Sequence, residues 1–263
     1  MFILRTACCF ALIFSLSGCK LILVRGFLGL NDQPNYMSDK AIIKSTKKRK
    51  IPMEQAFLLN NDGYFDEVRQ RTHQKIETIE AEAVTEEYID QDWIKRVKNK
   101  GKDDMQPVQL RFFKGSEAIY KSVNCYVNPF AFLNPFQAGW NVMNTLDEFP
   151  PKPILFSKKE VEKDDNLYFF MKHSTALNGN EFDWETMPLA SYYAVVIWND
   201  IAFKYSRKLI RQTKRYVRRH RDQNIHVFYI NNHNAYIWMS LDEEQKEEIT
   251  KTGEFTLDLM EEN

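Results

Sequence analysis

Apolar positions follow two rhythms along this chain. From Tyr192 to Trp198 the run YYAVVIW is apolar without a break, the pattern of a strand covered on both faces. Residues 203–220 then place Tyr205, Leu209, Thr213 and Val217 on one helical face among basic groups, and IHVFYIN from Ile225 to Asn231 returns to a strand pattern. Strand, helix, strand predicts a βαβ unit with a right-handed crossover. Upstream, Pro107 leads into VQLRFF and, across Lys114-Gly115-Ser116, into AIYKSV, which predicts a hairpin. A helical pattern over 64–97 drifts in phase and predicts a broken helix. Ser38-Asp39 predicts a cap for a helix over 40–48, and residues 53–59 a strand ended by Asn60-Asn61-Asp62-Gly63. Residues 154–156 and 167–171 read as short strands. Ser240 to Glu243 fits a capping box opening a helix to about Thr250; Gly253 stops it, and a strand over 255–259 follows.

The segment 1–18 breaks both rhythms. Arg5 is followed by a mostly apolar run from Thr6 to Leu16 and then by small residues, the composition of a secretion signal. The run falls well short of the ~20 apolar residues that span a bilayer. Leu16-Ser17-Gly18-Cys19 resembles the lipobox of bacterial lipoproteins. That resemblance implies a diacylglyceryl thioether on Cys19, cleavage before it, and a covalent lipid as the one attached group. It implies attachment to the cell envelope. Lys20 stands where many Gram-negative lipoproteins carry an inner-membrane retention aspartate, which points to the periplasmic face of the outer membrane. Processing removes Cys8 and Cys9 and leaves Cys125 as the free thiol, so the mature chain forms no internal disulfide.

At 263 residues, 44% of them hydrophobic, the chain can bury a sizeable core. The expected division is a signal peptide at 1–18, a lipidated tether at 19–37, an α/β module at 38–127, an aromatic- and Pro-rich connection at 128–190, and a βαβ module at 191–263. Lysine and arginine number 36 and so do aspartate and glutamate, so general attraction to nucleic acid is not expected. The charge is nonetheless uneven.

VVIW at Val195 to Trp198, the amphipathic helix and VFYINN at Val227 to Asn232 together resemble thioredoxin-like proteins over the βαβ unit. The resemblance implies an α/β fold with a thioredoxin-like core. In that family the strand leads to Cys-x-x-Cys at a helix N-terminus, whose first thiol attacks disulfides. Here Ala202-Phe203-Lys204-Tyr205 stand in those positions, so the family's redox chemistry is not expected from this loop. Gln106 to Gly115 resembles the family's cis-proline segment, but it precedes the βαβ unit instead of following it. A permuted order, two related modules, or a chance likeness would each account for this.

Lys204, Arg207, Lys208, Arg211, Lys214, Arg215, Arg218, Arg219 and Arg221 crowd the 203–221 helix, with no acid before Asp222. A solvated face is the plain reading; contact with anionic lipid headgroups or an acidic protein is the functional one. The acidic segment 242–262 offers an internal counter-charge. Cys125 reads as a small buried hydrophobe, or alternatively as a reactive thiol. His220, His226 and His233 surround the second strand without zinc-site spacing, and no nucleophile-elbow, phosphate-loop or dinucleotide motif occurs. The expectation is a lipid-anchored envelope protein that acts by binding or assembly with an unidentified envelope partner. A thiol enzyme using Cys125 and an anionic-surface binder using the basic helix are the alternatives.

Overall fold

The computed structural model describes residues 31, 34–86, 94–95, 97–98, 101, 104–123, 149–151, 166–177, 182–183, 185 and 187–253. Its centre is a six-stranded sheet in the order β3-β2-β5-β6-β1-β4. The strands are β1 (Ala56–Leu59), β2 (Gln109–Lys114), β3 (Glu117–Val123), β4 (Ser174–Ala176), β5 (Tyr192–Trp198) and β6 (Ile225–Asn231). β5, β6 and β1 run parallel; β2 pairs antiparallel with β5 and with β3, and β4 antiparallel with β1. The chain is therefore mixed α/β. Segments 38–127 and 191–263 are not separate bodies, because strands of the first flank the parallel pair of the second on both sides.

Six α-helices are named in chain order: α1 (Asp39–Lys48), α2 (Tyr64–Glu86), α3 (Leu167–Lys172), α4 (Phe203–Arg219), α5 (His233–Trp238) and α6 (Glu243–Thr252). Helices pack on both faces of the sheet. On one face Leu110, Phe112, Val196, Trp198 and Tyr229 meet Ile42 of α1 and Leu209, Ile210 and Tyr216 of α4. On the other Tyr193, Val195, Ile197, Phe228 and Ile230 meet Tyr64 and Phe65 of α2 and Phe169 and Phe170 of α3. β5 is buried from Tyr193 to Trp198 because its alternate residues serve these two cores, which is why its sequence does not alternate.

The βαβ unit, the hairpin and the Ser38 cap stand as expected; Ser38 Oγ accepts from the Ala41 N–H. Other expectations are corrected. Residues 167–171 form helix α3, because Asn166 caps it by accepting from the Phe169 N–H at 2.9 Å. Four buried residues there, Leu167, Phe169, Phe170 and Met171, lack the alternation a strand would show. The start of 53–59 is a single 3₁₀ turn, Met53–Gln55, and only Ala56–Leu59 is strand. The last capping box lies two residues later than expected, between Asp242 and Gln245, while Ser240 bonds back to Ile237. The buried stripe of α4 is Ser206, Leu209, Ile210, Thr213 and Tyr216, with Tyr205 and Val217 at its margins. α5 and β4 were not foreseen. Cys19, Cys125 and the expected strands at 154–156 and 255–259 lie outside the described residues.

Candidate anion-binding cleft

β5 ends at Trp198, and the next residue, Asn199, is fully buried. Its side chain closes the turn into α4: Oδ1 accepts from the Ala202 N–H at 2.8 Å, and Nδ2 donates to Asn232 Oδ1 and to the Pro107 carbonyl, each at 2.9 Å. Its backbone N–H donates to Ser206 Oγ at 3.1 Å. The Asp200 N–H donates to His233 Nδ1 at 3.3 Å, which leaves Nε2–H to donate to the Asn35 carbonyl at 2.9 Å. Burial holds the His233 pKa below its ordinary value; the Arg49 charge acts in the same direction, and the Asn35 bond and Asp200 oppose it. The turn into α4 is thus closed by the bonded asparagines Asn199 and Asn232, and Ala202 to Tyr205 carry no thiol. No cysteine lies among the described residues. Pro107 does reach this loop, but the Gln106–Pro107 peptide is trans; the cis bond among the described residues is Phe149–Pro150.

Asp200 joins this turn to α1. Ser45 Oγ donates to Asp200 Oδ2 at 2.6 Å, and Arg49 pairs with Asp200 Oδ1 while its guanidinium lies 4.7 Å above the Trp198 ring. Beyond this pair a cleft of about 950 Å³ opens between α1 and α4. Arg207, Arg211, Lys214, Arg215 and Arg218 form one wall, and Lys48, Arg49 and Lys50 the other, with Ile210 and Phe203 between them. Among the described residues lining it, Asp200 is the one acid. A second hollow of about 440 Å³ continues past Lys50, Lys214 and Arg218 towards Arg221, Val217 and Tyr229. Lys214 donates to the Arg49 carbonyl at 3.1 Å and to that of Lys50. Burial, and then the neighbouring charge of Lys50, lower its pKa.

The basic helix therefore divides. Lys204, Lys208 and Arg219 lie off the cleft, whereas the other basic residues named from the sequence line it or its extension. The contribution of α1 was missed, although the run Lys47-Lys48-Arg49-Lys50 is its signal. α6 pairs its lysines internally, Lys246 with Glu243 and Lys251 with Glu247. His220 packs on Phe149 and Tyr216, His226 on Tyr193 and Phe228, and His233 sits at the opposite end of β6 from His226. The described residues contain no group of three potential metal ligands and no helix long and apolar enough to cross a membrane. Comparison with protein-family models, curated proteins and solved structures found no match for this chain.

Proposed function

We propose that this protein is a bacterial lipoprotein, held by diacylglycerol on Cys19 at the periplasmic face of the outer membrane, and that it acts by binding or assembly instead of catalysis. Its scaffold is a thioredoxin-like core in permuted order. The neighbour relations support that reading: a parallel β5-α4-β6 unit lies beside an antiparallel hairpin, β2–β3, that comes before it in the chain. The observation that carries a non-redox role is Asn199, whose side chain spends its donors and acceptor on Pro107, Asn232 and Ala202 and so closes the loop with no thiol in it. The cleft between α1 and α4 favours anionic surfaces as the object of binding; an envelope protein is the other partner this scaffold could serve.

Mass spectrometry of the N-terminal peptide tests the anchor. The expected product begins at acylated Cys19, and Cys19→Ala is expected to accumulate as uncleaved precursor. A mature N-terminus without lipid would overturn the reading.

A further inference from the structure

We propose that the cleft between α1 and α4 binds phosphate-bearing groups, clamped between the C-terminal end of α1 and the arginine stripe of α4. This rests on the reading of a binding protein and names what is bound.

Arg207, Arg211 and Arg215 stand four residues apart, as do Lys214 and Arg218, so each neighbouring pair on the stripe is like-charged and unfavourable in an isolated helix. The helix dipole favours cations in the last turn, which accounts for Arg218 and for Lys48 at the end of α1. It does not account for Arg207 and Arg211, which lie outside the last turn of α4. Nor do the described residues lining the cleft neutralise it, since Asp200, the one acid among them, is already held by Ser45 and Arg49. An anion entering between the walls would relieve both sets of repulsion. Burial and Lys50 already press on the Lys214 ammonium.

Geometry then selects the class of anion. Four of the five cations on the α4 wall are arginines, whose planar forks match phosphate oxygens two at a time. A concavity of about 950 Å³ admits a discrete group, where a flat basic face would only attract a surface. Two sources supply such a group, a soluble phosphate compound and a phospholipid headgroup.

The test uses the full chain in a nonionic detergent, with melting followed by tryptophan fluorescence at fixed ionic strength. Inorganic pyrophosphate is titrated in one arm; in the other the micelles are doped with phosphatidylglycerol or, as control, phosphatidylcholine. A saturable rise in Tm with pyrophosphate assigns a soluble source, and one with phosphatidylglycerol alone assigns the headgroup. Arg211→Gln is expected to weaken the effect about tenfold, and Lys208→Gln, off the cleft, less than about twofold. No saturable rise in either arm, or equal weakening by both variants, would overturn the proposal. The lipid on Cys19 is read separately, so failure here is distinct from failure of the anchored-protein reading.

Discussion

The ammonium of Lys214 lies 3.1 Å from the main-chain carbonyl of Arg49 and also bonds that of Lys50, so a side chain of α4 caps the C-terminal end of α1. Lys50 has φ of 55°, in the left-handed region where a helix commonly turns off. One residue thus fixes the spacing of the cleft walls and supplies a positive charge to the space between them. Lys214→Gln is expected to lower stability by about 1 kcal/mol in urea unfolding, because terminal carbonyls lose a charged donor. Arg215→Gln, exposed on the next position, should stay within about 0.5 kcal/mol.

A charged triad lies under the other face, with Asp104 between Arg111 and Lys121. Arg111, in β2, is buried and donates from Nη2 to Asp104 Oδ1 at 2.7 Å and to Gln109 Oε1 at 2.7 Å, with its guanidinium 5.2 Å from the Phe170 ring. Lys121 Nζ donates to the same Asp104 Oδ1 at 2.5 Å, so removing the acid takes the counter-charge from two largely buried cations. Asp104→Ala is expected to cost about 3 kcal/mol, and Asp104→Leu with Arg111→Met and Lys121→Met together clearly less, as read from denaturant midpoints.

These two lysine and arginine roles mark the boundary of what the sequence shows. β5 was legible from its unbroken apolar run, α4 and β6 from the amphipathic spacing and the second strand pattern that follow it, and the β2–β3 hairpin from the turn at Gly115. The run at 167–171 was not, since five apolar residues fit a buried helix turn as well as a strand, and the deciding contact is the Asn166 cap. The basic stripe of α4 was visible, but its second wall was not, because Arg49 and Lys50 meet it only through the tertiary contacts of Asp200 and Lys214. Arg111 interrupts the apolar run of β2, and its partner Asp104 lies in the preceding turn, a contact that strand periodicity does not show.

Stability should depend on pH in two windows. Burial lowers the pKa of His233 and of His226, and also that of His173 against the pull of Glu67, so these groups are neutral in the fold and bind protons more readily when unfolded. Their contribution is present above about pH 6.5 and falls as pH drops below it. His233→Gln, which keeps a donor and an acceptor, is expected to flatten that slope in unfolding curves taken from pH 7 to 5. For Glu67, burial raises the pKa, but bonds from Lys172 and His173 and the charge of Arg71 outweigh it and hold the pKa at about 2. Its contribution is therefore complete above about pH 4.5 and lost towards pH 2, and Glu67→Gln should reduce acid sensitivity in that lower range.

Thiol–disulfide exchange is expected to stay at background in an insulin-reduction assay. The loop at Ala202 carries no thiol, and Asn199 is committed to three partners there. Turnover abolished by Cys125→Ser would favour the thiol-enzyme alternative; turnover surviving it would contradict the whole assignment of cysteines.

The most direct measurement is arginine side-chain NMR of the full chain in detergent, recorded with and without inorganic pyrophosphate and in phosphatidylglycerol-doped micelles. The account predicts that Nε–Hε signals of Arg207, Arg211 and Arg215 shift together with that of Arg49 across the cleft, while Arg219, off the cleft, stays in place. Equal shifts along every exposed arginine, or none with either saturating pyrophosphate or phosphatidylglycerol-doped micelles, would contradict a built site between α1 and α4.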